Sequence, residues 1–251
     1  MSTANTATYE LRQILTDYLY DSAEVCLNIE RVKNLLSDLS DEQKYDLISS
    51  IKRGDGVTVL KEAARGGHTV LCYTLLSSLP QADRLKLTLA DISTALHSAA
   101  WRDHTKTISF ILVCLTAEQQ LQLLFTQNSD GNTALHYAAL KGSTDTMKAL
   151  LNRLTPEQQL QLRITQNSQG NTALHFAARV GHTNKVKTML DYVKITPEEE
   201  LRLLSVQNKE GITASEGASG RSITTGTMRT IKQYEQEAVY GVNYRKFAKL
   251  T

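Results

Sequence analysis

The sequence predicts an all-α array of stacked helical repeats, and three observations carry that prediction. The stretch GNTALHYAALKG at residues 131–142 returns as GNTALHFAARVG at residues 170–181, with nine letters identical and an offset of 39 residues. The threonine of this motif recurs at Thr58, Thr94, Thr133, Thr172 and Thr213, spaced by 36, 39, 39 and 41 residues. Apolar residues at i, i+3, i+4 and i+7, one face of an α-helix, follow the motif in each of four copies. Self-similarity at a fixed period marks a chain built from one supersecondary unit that buries its apolar face only against its neighbours.

Taken in chain order, residues 1–7 read as a flexible tail and 8–53 as an N-terminal capping unit. That unit has a diverged first helix, from about Tyr9 to Tyr20, and a regular second one with Val32, Leu35, Leu36 and Leu39 on one face. Divergence suits a terminal unit, which must face water on one side. Four full units follow at 54–90, 91–129, 130–168 and 169–209. Each opens with a threonine, then Leu60-Lys61 or a Leu-His pair at His97, His136 and His175, then an alanine pair. Nine residues past the threonine stand Gly67, Asp103, Gly142 and Gly181.

The second helices carry Cys72, Leu75, Leu76, Leu79; Ile108, Ile111, Leu112, Leu115; Met147, Leu150, Leu151, Leu154; and Val186, Met189, Leu190, Val193. A third element reads TAEQQLQLL from Thr116, TPEQQLQLR from Thr155 and TPEEELRLL from Thr196, and SDEQKYDLI from Ser40 fits the same frame. Ser or Thr with Gln three residues later is a capping box, and Pro156 and Pro197 take the first helical position. Polar turns with a permissive glycine, QNSDGN, QNSQGN and QNKEGI, come next. Residues 210–251 read as a degraded terminal unit: Ser215 and Glu216 replace Leu-His, and Gly217 and Gly220 weaken helix formation. A second helix is expected there around 227–238, in a segment rich in basic and aromatic residues from Arg221 onward, including Tyr234, Tyr240, Tyr244 and Phe247.

The stretch DGNTALHYAALKGSTDTMKALL resembles the ankyrin repeat, whose hallmark is a turn, T-x-L-H-x-A-A, a glycine and a second helix ending in paired leucines. The resemblance covers residues 54–209 as four units with a weaker unit on either side. It implies an all-α ankyrin-repeat solenoid with an extra short helix per repeat, since ankyrin units usually run to about 33 residues.

Each motif letter has a structural task. Thr94, Thr133 and Thr172 are placed to cap the first helices, with His97, His136 and His175 at the capping-box position three residues on. Gly142 and Gly181 suit the left-handed residue that ends a helix. All six histidines fall at two repeat positions, the second being His68, His104 and His182. Copies one repeat apart are separated by about a helix diameter of 10 Å, too far to share a zinc ion bound at about 2 Å. No metal or other cofactor is therefore expected.

Catalytic signatures are missing as well: there is no P-loop, GxSxG, HExxH or dinucleotide glycine fingerprint. Cys72 and Cys114 read as small buried hydrophobes, and Glu198, Glu199 and Glu200 as favourable charge at a helix start. The odd set of Cys26, Cys72 and Cys114 favours a reducing, intracellular compartment. No apolar run is long enough to span a membrane, and the N-terminus lacks a secretory pattern. The expectation is a non-enzymatic, cytoplasmic protein with no small-molecule substrate.

If the shared letters hold the fold, recognition falls to the positions that differ. By the resemblance, a concave strip is formed by Arg65, Trp101, Arg102, Tyr137, Leu140, Lys141, Phe176, Arg179 and Val180. Its Trp, Tyr and Arg are types enriched at binding hot spots. The strip implies a protein partner with an acidic or mixed acidic-apolar segment. Arrays of this family occur as eukaryotic scaffolds, adaptors and inhibitors, and as effectors that intracellular bacteria deliver into host cytosol. A nucleic-acid-associated role through the basic-aromatic strip and tail is the alternative, and a net charge of only +2 argues against it.

Overall fold

The computed structural model describes residues 3–20, 28–87, 93–192, 196–217 and 225–248. Cys26, Val193, Ala218, Gly220 and Arg221, and the side chains of Thr94, Tyr244 and Phe247, lie outside the described residues. Among the described residues there are 17 α-helices and no strand, with two isolated β-bridges, Lys52–Thr58 and Gln207–Thr213. The fold is all-α and built from repeated groups of helices, and the chain divides into two compact units, Met1–Thr126 and Gln127–Thr251. No described helix is long and apolar enough to cross a membrane.

The first unit holds α1 (Thr3–Tyr20), α2 (Ile29–Ser37) and α3 (Asp41–Ser50), then α4 (Val59–Gly66), α5 (Thr69–Ser77) and α6 (Gln81–Leu87), then α7 (Ser93–Trp101), α8 (Thr105–Val113) and α9 (Ala117–Phe125). The second holds α10 (Ala134–Leu140), α11 (Thr144–Leu151) and α12 (Pro156–Ile164), α13 (Ala173–Val180), α14 (Thr183–Asp191) and α15 (Pro197–Leu204), then α16 (Ala214–Gly217) and α17 (Thr225–Ala248). Each repeat before α16 is thus a triplet of helices. Helix α1 starts at Thr3, so residues 3–7 are helical, not a tail.

Small residues let the first helices approach closely. Ala63, Ala64, Ala99, Ala100, Ala138, Ala139, Ala177 and Ala178 are all fully buried, and α4 packs on α7 as α10 packs on α13. Every described apolar residue on the second-helix faces is buried too, from Val32 to Leu190. Full burial of one such side chain contributes about 1.5–3 kcal/mol, so these seams supply most of the driving force for stacking.

The third helices start as their sequences require. Thr155 Oγ1 accepts from Gln158 N at 3.3 Å while Thr155 N donates to Gln158 Oε1 at 3.0 Å. The same reciprocal pair recurs at Ser40–Gln43, Thr116–Gln119 and Thr196–Glu199. Sequence reading overlooked α6, which lacks this box and follows Pro80. Its Arg84 instead donates back to Leu79 O at 2.9 Å and forward to Cys114 O of the next repeat at 3.0 Å.

The ends of the first helices follow one scheme with one exception. After α4, Gly67 at φ 73° and His68 donate to Ala64 O and Ala63 O, and Gly181 at φ 77° with His182 repeats this after α13. Asp103, at φ 64°, takes the left-handed place after α7. Gly142 does not: α10 ends at Leu140 with Lys141 as its C-cap at φ −123°, and no positive φ occurs there, contrary to the expectation from the motif. Two contacts explain the difference. Lys185 of the next repeat donates from Nζ to Ala139 O at 3.2 Å, covering a carbonyl that glycine covers elsewhere. Ser143 then caps α11 in extended backbone, its Oγ accepting from Thr146 N at 3.2 Å, where the other repeats have histidine.

Candidate functional site

The repeated letters hold neighbouring repeats together. In α10, Thr133 N donates to His136 Nδ1 at 3.1 Å, which fixes the proton of the neutral ring on Nε2. That Nε2–H donates to Asn171 O of the next repeat at 3.0 Å. His175 does the same from Thr172 to Ile212 O, at 3.2 and 3.0 Å. Burial holds the His175 imidazole below its ordinary pKa, outweighing the hydrogen bond to Ile212. His97 is buried at the equivalent place, whereas helix α7 begins one residue before Thr94. Among the described residues no group of three or more His, Cys, Asp or Glu is arranged to hold a metal ion.

The polar turns form a second ladder that sequence reading treated only as turns. Asn128 Oδ1 accepts from the backbone N–H of Asp130 and Asn132, and Asn167 and Asn208 fold their turns in the same way. Between turns, Asn167 Nδ2 donates to Asn132 Oδ1 at 2.9 Å and Asn208 Nδ2 to Asn171 Oδ1 at 3.1 Å. Gln127 and Gln166 donate to Gln166 O and Gln207 O at 2.9 and 2.8 Å. The recurrence of the Gln-Asn pair was the available signal.

The variable residues lie in the later part of the first helices or just after them. In the first unit, Trp101 is 39% exposed and Arg102 is exposed. Arg65 is exposed but committed, since its Nε and Nη2 bind both oxygens of the buried Glu62 at 3.0 and 2.5 Å. Arg53 adds a 3.8 Å contact to the same carboxylate. In the second unit, Lys141, Arg179 and Val180 are exposed, and Leu140 and Tyr137 are half-buried. Tyr137 Oη accepts from Asn128 Nδ2 at 2.8 Å. Phe176 is buried to 8% exposure, edge-on to the His136 ring at 5.7 Å, and Arg179 stacks above it at 4.9 Å. Phe176 therefore serves as a platform that fixes the Arg179 guanidinium, and the solvent-facing groups at this phase are chiefly basic or aliphatic.

Cys72 and Cys114 carry no reactive character. Burial pushes the Cys72 thiol up to about 12, and Cys114 is shifted up by the same cause. Glu199 belongs to a capping box, and Glu198 and Glu200 share the first turn of α15. At residues 213–216 the sequence departs from Leu-His, yet Glu216 does the work of the histidine: its Oε2 accepts from Thr213 N at 2.8 Å.

Stacked helices with alanine seams, threonine-histidine caps and turn-to-turn ladders define a helical repeat protein most of whose variable positions are exposed. The family model for ankyrin repeats in three copies matches residues 113–199, and this part of the chain consists of ankyrin repeats. Among solved structures, the chain is similar to one from the complex of a predatory endopeptidase from Bdellovibrio bacteriovorus with an immunity protein. The two share 20% identity at a TM-score of 0.59, over 88% of this chain and 97% of the other. A search of the curated proteins finds no match.

Proposed function

We propose that this protein is a non-enzymatic protein-binding module that recognises its partner, in each unit, through the ends of the first helices and the residues just after them. The observation that carries the reading is the division of labour within the motif. Residues shared between repeats are buried in repeat-to-repeat contacts, and residues that change, such as Trp101, Arg102, Lys141, Arg179 and Val180, are exposed. Ankyrin repeats commonly bind proteins, and the similar solved structure comes from a complex of two proteins, which supports the same class of function.

In each unit the chemistry of these positions fits a partner segment with acidic and apolar side chains. In the first unit Arg102 supplies positive charge and Trp101 apolar area; in the second, Lys141 and Arg179 supply charge and Val180 apolar area. Because the surface rests on packed helices, binding costs little ordering of the protein itself. The setting is scaffold, adaptor or inhibitor, or an effector acting in host cytosol. The test is an affinity capture with mass spectrometry, comparing the wild type with the double variant Trp101→Ala/Arg179→Ala. A specific partner retained by the wild type and lost by a variant of unchanged helical signal supports the reading. Equal capture by both overturns it.

A further inference from the structure

The second helices of the first unit present an outer face unlike that of the second unit. Helix α5 contains no charged residue, and α8 contains only Lys106. At the corresponding outer positions α11 and α14 carry Asp145, Lys148, Lys187 and Asp191, the ordinary solvated pattern. On α5 and α8 stand Val70, Tyr73, Phe110 and Val113 instead, each between 44% and 60% exposed. These residues are one patch, because α5 packs on α8 and the Tyr73 and Phe110 rings meet edge to face at 5.8 Å. Single exposed apolar residues need no explanation, but a contiguous cluster across two helices marks a contact site.

The patch continues into a groove of about 470 Å³ between α2 and α5, where Leu36, Val70 and Tyr73 give apolar wall and Glu30, Lys33 and Lys44 reach the lining. Glu30 lies 3.9 Å from Lys33, and Asp41 lies 3.3 Å from Lys44. With Lys106 added, the border keeps a surplus of positive charge. We propose that this outer face of α2, α5 and α8 docks an amphipathic helix whose apolar ridge is flanked by acidic residues. Apolar anchors spaced one turn apart fill the groove and cover the Tyr73–Phe110 pair, as in helix-in-groove recognition, while acids on the flank meet the border lysines. A second copy of this chain fits less well. Face to face, it sets the same positive surplus against itself.

The site is separate from the first-helix face, and the experiment keeps the two apart. The full chain is titrated against two fluorescein-labelled synthetic 18-residue helical peptides, both with leucines on one face, one flanked by glutamates and the other by lysines. The glutamate-flanked peptide is expected to bind saturably and at least about tenfold more tightly than its lysine-flanked analogue, and Tyr73→Ser/Phe110→Ser to weaken it by a similar factor. Lys106→Glu narrows the preference between the peptides, and Trp101→Ala/Arg179→Ala leaves binding unchanged. The substituted side chains are on the surface, and circular dichroism checks that every variant stays helical. Absence of saturable binding, or binding indifferent to Tyr73→Ser/Phe110→Ser, overturns the proposal. So does sedimentation showing a dimer that this variant dissociates, since a second copy then occupies the face.

Discussion

At the scale of single residues, the least expected feature is Arg163. It is fully buried in α12, where the corresponding residues of α3, α9 and α15 are the buried Ile48, Leu124 and Leu204. Its Nη2 donates to Gln159 Oε1 at 3.1 Å, but Nε and Nη1 have no partner among the described residues. Burial lowers its pKa to about 10. A buried cation without a carboxylate is unfavourable, and well-packed apolar replacements of buried ions are often stabilising by about 1–4 kcal/mol. Arg163→Leu should therefore raise the urea midpoint, and a lower midpoint would show that the guanidinium has a role the hydrogen bonds do not reveal. Two glycines allow a sharper comparison. Gly170 and Gly211 both have positive φ, at 78° and 75°, so alanine at either carries the left-handed cost of about 1–2 kcal/mol. At Gly170 the added methyl also stands 2.6 Å from Lys209 N, whereas at Gly211 nothing lies within 4 Å. Thermal denaturation should rank Gly170→Ala as clearly the more damaging.

At the scale of elements, two couplings between repeats are open to test. Lys185 closes the end of α10 from the following repeat. Lys185→Met keeps the apolar stem and leaves Ala139 O without this donor, at an expected cost of about 1–3 kcal/mol in unfolding free energy. The second coupling is the histidine between α13 and the loop before α16. His175 has a folded-state pKa below its ordinary 6.5. Its stabilising contribution is therefore complete above about pH 6.5 and is lost as the pH falls below that toward the folded value. His182, lowered by burial and then by Lys185, acts in the same direction. The urea midpoint should fall between pH 7.5 and pH 6.0, and His175→Gln should reduce that fall, because Gln can accept from Thr172 N and does not titrate.

At the scale of the whole molecule, a net charge of +2 offers little for a polyanion to hold. Duplex DNA is expected not to shift the chain in gel mobility at physiological salt, since phosphate-driven binding there needs many neutralising contacts. Retention that falls steeply with salt would revive the nucleic-acid reading. The long α17 sits beside acids that press on one another: the Glu200 carboxyl is pushed up by burial first, then by Glu237 and Asp191. Tyr234 of α17 donates to Asp191 at 2.5 Å, so this contact ties the terminal helix to α14.

The sequence alone determined the class of fold, the positions of the second helices and the start of α12, because these depend on local chemistry repeated at a fixed period. Periodic leucines, a Thr-Pro-Glu-Gln box and an alanine pair state their roles within ten or so residues of themselves. It also placed Trp101, Arg102, Lys141, Arg179 and Val180 at variable positions that the structure leaves exposed. The tertiary structure decided what depends on a neighbour some 39 residues away. It placed Phe176 under Arg179 and not in solvent, relieved Gly142 of its left-handed role through Lys185, and turned the Gln-Asn turns into a ladder. It also gathered Val70, Tyr73, Phe110 and Val113 into one patch. Each of these joins residues whose separation in sequence says nothing about which faces meet, and stacking of whole repeats fixes that choice.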